Sequence, residues 1–145
     1  QLRQIIEARK LIGRVLLLGE RSDIPGLMNA SDIYVSASNW GESFPLVLGE
    51  AMASEVPCIA TDLGDCSQIL GDTGRLVRPG DVAALRDGMS WMASLSPEAR
   101  TALGRRARAH VEDGFSLDVV AERYLAVCQE AVSRARTTTS RWSWR

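Results

Sequence analysis

The sequence has few residues of the kinds that bind transition metals. Its 145 residues include one histidine, His110, and three cysteines, Cys58, Cys66 and Cys128, none of them in a C-x-x-C pair. A zinc site needs closely spaced Cys or His ligands, so the sequence predicts no metal site. Widely spaced cysteines in odd number are typical of reduced thiols, which favours a cytoplasmic location.

Long hydrophobic runs and an excess of charge are absent as well. No apolar stretch approaches the roughly 18 residues that a membrane-spanning helix needs. The 17 basic residues, of which only Lys10 is a lysine, nearly balance the 18 acidic ones, and the formal net charge is −1. This balance gives no general attraction to nucleic acid or to an anionic membrane surface, so we expect no nucleic-acid partner.

Short apolar runs alternate with helical patterns along the chain. Four runs are predicted to be buried strands: residues 14–19, 33–38, 57–62 and 75–78. The helical patterns are residues 1–11, 82–95 with Asp81 as the expected cap, 96–114 with its start at Ser96, 45–54, and a last helix from 116. One turn is expected at 25–30 and at most a short helix within 63–74. The alternation predicts an α/β fold with a parallel sheet and flanking helices. We place one domain at residues 1–134 and a loose tail at 135–145.

The stretch GESFPLVLGEAMAS, residues 41–54, follows the second predicted strand and enters a helix. Ligands of parallel sheets bind beyond the carboxyl ends of the strands, so a binding site is expected here. N–H groups at the start of a helix have no partner inside it and lie at the positive end of its dipole, where phosphate binds. Pro45 has no N–H, so the expected donors are Ser43, Phe44, Leu46 and Val47.

Two carboxylates, Glu42 and Glu50, flank this helix start. A carboxylate repels phosphate but accepts hydrogen bonds from a vicinal diol such as that of ribose. Glu50 lies about one and a half turns into the helix, where it would reach a ribose, and Glu42 would reach hydroxyls on the other side of the phosphate. The pattern therefore suits a ligand made of a sugar, a diphosphate and a nucleoside.

The segment GESFPLVLGEAMASEVPCIATDLG resembles the E-x(7)-E segment of family 4 retaining glycosyltransferases (glycosyl transferases group 1), which have the GT-B fold. The resemblance extends from RVLLLGERSDIPGLMNASDIYVSAS through GRLVRPGDVAALRDGM, which is most of the chain. It implies part of the C-terminal, donor-binding half of a GT-B fold, with a Rossmann-like sheet. In that family the first glutamate contacts the donor sugar and the second binds the ribose hydroxyls. These roles fall on Glu42, the candidate catalytic residue, and on Glu50.

The resemblance also implies the remaining site residues and the partners. Backbone N–H groups of Ser43, Phe44, Leu46 and Val47 would hold the sugar and the diphosphate. Glu20 and Arg21, after the first predicted strand, resemble the part that lines the nucleobase. The partners would be a UDP- or GDP-sugar, a glycan or lipid-linked acceptor and an N-terminal domain, at or near the inner face of the cell membrane, with no cofactor and no essential metal.

The matching family has a catalytic-site histidine in its N-terminal domain. His110 lies in a late helix instead, and we expect it to be a surface or partly buried helix residue. In the usual strand order, 3-2-1-4-5-6, two strands expected ahead of residue 1 separate residues 14–19 from 33–38. We therefore expect a fragment in which these two runs either pair directly or leave a gap, and which does not turn over alone.

Several features keep alternatives open. Glu122 and Glu130 repeat the E-x(7)-E spacing without the preceding loop, and we interpret them as surface charge. Trp40 either stacks on a sugar or base or covers a hydrophobic edge, and Trp142 with Trp144 could touch a membrane surface. The second hypothesis is a non-catalytic interaction or nucleotide-binding module that keeps the fold. An unrelated Rossmann-type dehydrogenase is excluded because no G-x-G-x-x-G turn follows any predicted strand.

Overall fold

Three short parallel strands form the centre of the structure, a computed structural model that describes residues 1–139. In the described residues the sheet has the order β1-β2-β3, and the strands are β1 (Tyr34–Ser36), β2 (Cys58–Thr61) and β3 (Arg75–Val77). Val35 lies opposite Ile59, and Ala60 lies opposite Leu76. Each strand lies inside a predicted run, and the parallel pairing confirms the predicted α/β class.

Seven helices surround this sheet within the described residues: α1 (Leu2–Ala8), α2 (Ile24–Asn29), α3 (Leu46–Ala53), α4 (Cys66–Leu70), α5 (Val82–Ser94), α6 (Pro97–Phe115) and α7 (Leu117–Thr139). Two of them begin at the predicted caps. The Ala84 N–H donates to Asp81 Oδ1 at 2.8 Å, and the Ala99 N–H donates to Ser96 Oγ at 3.2 Å. Each cap satisfies one of the N–H groups that the first turn leaves without a partner.

The core lies on both faces of β2, all four residues of which are buried. Alternate side chains of a strand point to opposite faces. Cys58 and Ala60 therefore join α3, α4 and α6 in one cluster, which includes Leu48, Met52, Ile69, Leu70 and Ala107. Ile59 faces the other side and packs with Val77 and with Met92 of α5. Burial on both faces explains why this strand is a continuous apolar run in the sequence.

Residues 14–19 do not form the strand that their apolar run predicts, and that prediction is wrong. Leu16 and Leu18 are 72% and 52% exposed, and the described sheet begins at β1. A strand is stable only where a neighbour accepts and donates its ladder hydrogen bonds. Among the described residues, no strand lies between this run and β1. Of the two expected arrangements, the chain adopts the gap, and the outer edge of β1 stays open.

Helix α7 continues past the domain boundary that we place at residue 134. It runs to Thr139, so the prediction of a loose tail is wrong for residues 135–139. Extending an existing helix costs little, and threonine lowers helix propensity only modestly. Residues 140–145, with the proposed membrane contacts Trp142 and Trp144, lie outside the described residues. Within residues 1–139, none of the helices has both the length and the apolarity that crossing a bilayer requires.

Glu55, which follows the C-cap residue of α3, has a backbone conformation that residues other than glycine rarely adopt. Its φ is +59°, which lies in the left-handed region where glycine commonly follows the end of a helix. The Glu55 N–H donates to the Met52 carbonyl at 3.0 Å and the Val56 N–H to the Ala51 carbonyl at 3.0 Å, which is the Schellman pattern. The carboxylate gains only long, exposed ion pairs with Arg105 and Arg108, at 3.8 and 3.9 Å.

We expect Glu55→Gly to stabilise the fold by about 1 kcal/mol, because glycine removes the cost of a left-handed residue. Glu55→Ala is the matched control, since it removes the same exposed ion pairs and keeps the backbone cost. Urea unfolding of both variants beside the parent chain measures the difference. A glycine variant no more stable than the alanine variant would contradict the explanation.

Burial in the core also controls the titration of Cys58. The thiol is buried and donates to the Val56 carbonyl at 3.1 Å, and desolvation of the thiolate raises its pKa to about 12. In the unfolded chain the thiol has its ordinary pKa of 9.0. Between these values the unfolded chain releases a proton that the folded chain keeps. The contribution of this thiol to stability is therefore fully present below pH 9 and decreases as the pH rises toward 12.

We expect Cys58→Ala to flatten this alkaline loss. Between pH 8 and pH 10 the free energy of unfolding of the parent should fall by about 1 kcal/mol more than that of the variant. Cys128→Ala should keep the parental slope, because Cys128 is exposed. Urea unfolding at the two pH values measures both slopes. Equal slopes for the parent and Cys58→Ala would contradict the assignment of the alkaline loss of stability to Cys58.

Candidate functional site

The loop between β1 and α3 crosses the carboxyl ends of the strands and carries Glu42. Ser38 Oγ donates to Glu42 Oε1 at 2.9 Å. Thr61, the last residue of β2, donates from Oγ1 to the Ser38 carbonyl at 2.7 Å. The half-buried carboxylate of Glu42 is thus tied through Ser38 to the central strand of the sheet.

The same loop is held from its other side by residues 64 and 65. The Asp65 N–H donates to the Ser43 carbonyl at 2.8 Å. Gly64 has φ +53°, and a Cβ built on it would lie 2.2 Å from the Ser43 carbonyl oxygen and 2.8 Å from that of Glu42. Only glycine allows the two backbones to approach this closely. The backbone of the proposed ligand loop is therefore fixed by a neighbouring segment.

The start of α3 presents a set of backbone donors. The first turn has a hydrogen bond from the Leu48 N–H to the Pro45 carbonyl at 3.0 Å. Within the described part of the chain, no acceptor takes the N–H groups of the four predicted donors: Ser43, Phe44, Leu46 and Val47. Pro45 is the N-cap, with an extended ψ of 91°, and not the first helical residue as predicted. The difference is one residue, and the unpaired donors remain where the sequence predicts them.

Glu50 lies on the exposed face of α3, and its carboxylate has no hydrogen-bond partner among the described residues. It lines a groove of about 300 Å³ between α3 and the junction of α6 with α7. The groove walls are mostly apolar and include Phe44 and Phe115, whose ring centroids are 5.9 Å apart. A Cβ built on Gly49 would lie 3.7 Å from Val111 Cγ2, so this position of α3 faces α6, while Glu50 is exposed.

Glu20 and Arg21, the predicted nucleobase-lining residues, lie in the exposed stretch before α2. Arg21 forms an ion pair with Asp23. No hydrogen bond or ion pair joins Glu20 or Arg21 to residues 37–53 in the part of the chain that the structure describes. The absence of the strand at 14–19 removes the framework that would hold them near α3. Their role stays a prediction.

His110 lies on α6, and Trp40 is exposed in the loop between β1 and α3. His110 is half-buried on α6, with Nε2 3.4 Å from the Gln68 carbonyl and an edge-to-face contact with Phe115. This confirms the prediction of a partly buried helix residue. Trp40 is 85% exposed in the site loop. It therefore covers no hydrophobic edge among the described residues, and stacking on a sugar or base stays a prediction.

Four residues that hold the site were not predicted from the sequence: Ser38, Thr61, Gly64 and Asp65. Ser38 and Thr61 are polar residues at the ends of apolar runs, and the carboxyl ends of parallel strands meet at one edge of a sheet. That rule could have found both of them. The clamp formed by Gly64 and Asp65 gives no such signal, because it depends on a chain crossing that only the structure shows.

A second crevice of about 300 Å³ lies on the β2–β3 side of Glu42. It is lined by residues at or just beyond the carboxyl ends of the three strands, among them Asn39, Thr61, Arg78 and Asp81. The Ala84 N–H and the Arg78 guanidinium, 2.9 Å from the carboxylate, lower the pKa of Asp81. Arg78 and Asp81 thus neutralise each other at the mouth of the crevice.

Cys66, at the start of α4, is a packing residue and not a nucleophile. Burial first, and then the negative charges of Glu42, Asp62 and Asp65, raise the pKa of its thiol. A thiol that stays protonated is a poor nucleophile and a poor metal ligand. Among the described residues, no three His, Cys, Asp or Glu side chains come together as metal ligands.

Comparison with known proteins gives a consistent set of likenesses. The model of the family described as "Glycosyl transferases group 1" matches residues 1–94. The N-acetyl-alpha-D-glucosaminyl L-malate synthase of Bacillus anthracis is 34% identical over 123 residues, which are 83% of this chain and 32% of that protein. The phosphatidyl-myo-inositol mannosyltransferase of Mycobacterium leprae is 36% identical over 132 residues, 88% of this chain and 29% of that one.

Solved structures show the same fold. A glycosyltransferase from Rickettsia africae superposes with a TM-score of 0.81 at 28% identity, over 90% of this chain and 35% of that one. Anabaena HepE, in complex with UDP, gives a TM-score of 0.78 at 25% identity, over 89% of this chain and 36% of that one. The chain thus spans about a third of the length of the proteins that it matches.

The fold and these likenesses define the class of protein: the chain is a C-terminal part of the GT-B architecture of glycosyltransferases. More specifically, it belongs to the family of glycosyl transferases group 1, as the resemblance of the E-x(7)-E segment predicts.

We expect Gly64→Ala to displace the loop that carries Glu42 and Ser43, because its Cβ would overlap the Ser43 carbonyl oxygen and break the bond from Asp65. The loss of stability should be about 1–3 kcal/mol, from strain at positive φ and from the lost hydrogen bond. Gly26→Ala is the matched control, since a Cβ there meets nothing within 4 Å.

Amide chemical shifts of residues 42–44 and urea unfolding of each variant check this prediction. Shifts at residues 42–44 in Gly64→Ala that are no larger than those in Gly26→Ala would show that the close approach is not needed.

Proposed function

We propose that the chain is the donor-binding part of a retaining, family 4 glycosyltransferase of the hexosyltransferase type. In this proposal it binds a UDP- or GDP-sugar, whose glycosyl group passes to a glycan or lipid-linked acceptor. The observation that carries the proposal is the set of unpaired N–H groups at the start of α3, between a hydrogen-bonded carboxylate, Glu42, and an unpaired one, Glu50. This order of donor and acceptor groups complements sugar, diphosphate and ribose.

The backbone donors would bind the diphosphate and stabilise it as the leaving group. Negative charge develops on the diphosphate when the bond to the sugar breaks, and oriented N–H groups stabilise that charge without reorganising. The helix dipole of α3 adds to the effect, since the positive end faces the phosphate. Glu42 would accept hydrogen bonds from hydroxyls of the donor sugar, and Glu50 would accept hydrogen bonds from the ribose diol. Catalysis would then depend on orientation and electrostatics.

Known relatives support the choice of ligand. One Anabaena HepE structure is a complex with UDP and another is a complex with UDP-glucose. Relatives that match this chain are named as mannosyltransferases and as a UDP-Gal-dependent galactosyltransferase. These names support a nucleotide-sugar donor, and UDP and GDP are the two nucleotides that we propose for this chain.

The acceptor and the catalytic partner groups are proposed to lie elsewhere. The chain spans about a third of the length of these relatives. The resemblance of the E-x(7)-E segment implies an acceptor site in an N-terminal domain. We propose that the chain alone binds the donor weakly, without turnover, that the reaction needs no cofactor or metal, and that the assembled enzyme works in the cytoplasm at the inner face of the membrane.

A titration of the isolated chain tests donor binding. UDP and GDP are added to millimolar concentration while backbone amide shifts are followed. Binding should produce saturable shifts at residues 42–50. Shifts confined to other regions, or none at all, would count against donor binding and favour the interaction module that keeps the fold.

We expect Glu50→Gln to weaken binding of the preferred nucleotide roughly tenfold, because a charged acceptor holds the ribose diol more strongly than a neutral amide. Glu122→Gln is the matched control. Glu122 is an exposed helix residue that begins the second E-x(7)-E pair, and its change should leave the affinity unaltered. Equal effects of the two substitutions would show that Glu50 does not contact the ribose.

A further inference from the structure

Glu42 is linked to the central strand by two consecutive hydrogen bonds. Thr61 Oγ1 donates to the Ser38 carbonyl at 2.7 Å, and Ser38 Oγ donates to Glu42 Oε1 at 2.9 Å. Thr61 is 4% exposed, and β2, to which it belongs, is paired on both sides. The first hydrogen bond therefore fixes the backbone of Ser38, and the second fixes the carboxylate.

The link leaves Glu42 able to act on a ligand. Ser38 engages one carboxylate oxygen, Oε1, and no further hydrogen bond to the Glu42 side chain occurs among the described residues. A carboxylate has about four acceptor positions, so most of its capacity stays available. A carboxylate with one oxygen already held loses less rotamer freedom when it binds sugar hydroxyls.

We infer that Thr61 and Ser38 are positioning residues for the sugar-facing carboxylate of Glu42. They act through Glu42 and not on the nucleotide, which would be held by the start of α3 and by Glu50. The inference rests on the proposed function. It makes a distinctive claim: the link contributes to the affinity for a nucleotide-sugar and not to the affinity for the nucleotide diphosphate alone.

The test compares three threonine variants. Thr61→Val keeps the shape of the side chain and removes the hydroxyl, and Thr61→Ser restores the hydroxyl. Thr73→Val is the matched control, because Thr73 is 3% exposed, donates to the Leu70 carbonyl at 2.6 Å and precedes the amino end of β3. Dissociation constants are measured for UDP, UDP-glucose, GDP and GDP-mannose, with thermal unfolding as the check of folding. Amide spectra without ligand are recorded for every variant.

We expect Thr61→Val to weaken binding of the preferred nucleotide-sugar roughly fivefold, as for the loss of a hydrogen bond that supports a charged group. The affinity for the corresponding nucleotide diphosphate should not change. Thr61→Ser should restore most of the lost affinity, and Thr73→Val should leave both affinities as in the parent. Equal losses for nucleotide-sugar and nucleotide, or no loss for either, would overturn the inference. It would also be overturned if the parent bound nucleotide-sugar no more tightly than nucleotide.

Failure of the proposed function has a different result. If none of the four ligands binds the parent chain at millimolar concentration, donor binding by this chain is refuted. The hydrogen-bonded link from Thr61 through Ser38 to Glu42 is then tested by the amide spectra recorded without ligand. Thr61→Val should shift the amide resonances of Ser38 and Glu42, and Thr73→Val should not. Unchanged resonances at these residues in Thr61→Val would refute the link.

Discussion

The burial of β2 on both of its faces is the constraint on which the rest of the structure depends. This four-residue strand is hydrogen-bonded to a neighbour on each side, and its side chains belong to both hydrophobic clusters. Helix α3 packs on one face through Leu48 and Met52, and this contact sets the direction in which the helix start points. At the carboxyl end of the strand, Thr61 holds the loop that leads to Glu42. The core thus determines the geometry of the site directly.

Close contacts between backbones hold both ends of α3. A Cβ built on Gly104 of α6 would lie 1.9 Å from the Glu55 carbonyl oxygen, so α6 lies directly against the end of α3. At the other end of α3, a Cβ built on Gly64 would lie 2.2 Å from the Ser43 carbonyl oxygen. Both contacts are between backbones, which have far fewer conformational choices than side chains. Helix α3 is therefore held at both ends, and the carboxylates at positions 42 and 50 keep a fixed relation without contacting each other.

The sequence predicts those elements whose stability is local or whose partners are in the chain. Asp81 and Ser96 cap α5 and α6 as expected, since a cap depends on residues three positions apart. Residues 14–19 have the same apolar pattern as β2, yet they form no strand, because none of the described residues forms a strand beside them. An apolar pattern indicates only that a segment tends to be buried, and burial requires a neighbouring element that covers it. The clamp at Gly64 escapes prediction for the related reason that it joins segments about twenty residues apart.

Position and surroundings, and not spacing, distinguish the two pairs of glutamates. Glu122 and Glu130 have the same separation as Glu42 and Glu50, but both lie on α7, and Glu130 is already paired with Arg134 of the next turn. Glu42 is tied to a strand end, and Glu50 lies on a helix whose first N–H groups are unpaired. The Glu50 carboxylate has no hydrogen-bond partner among the described residues, and the proposed nucleotide would supply one through its ribose hydroxyls.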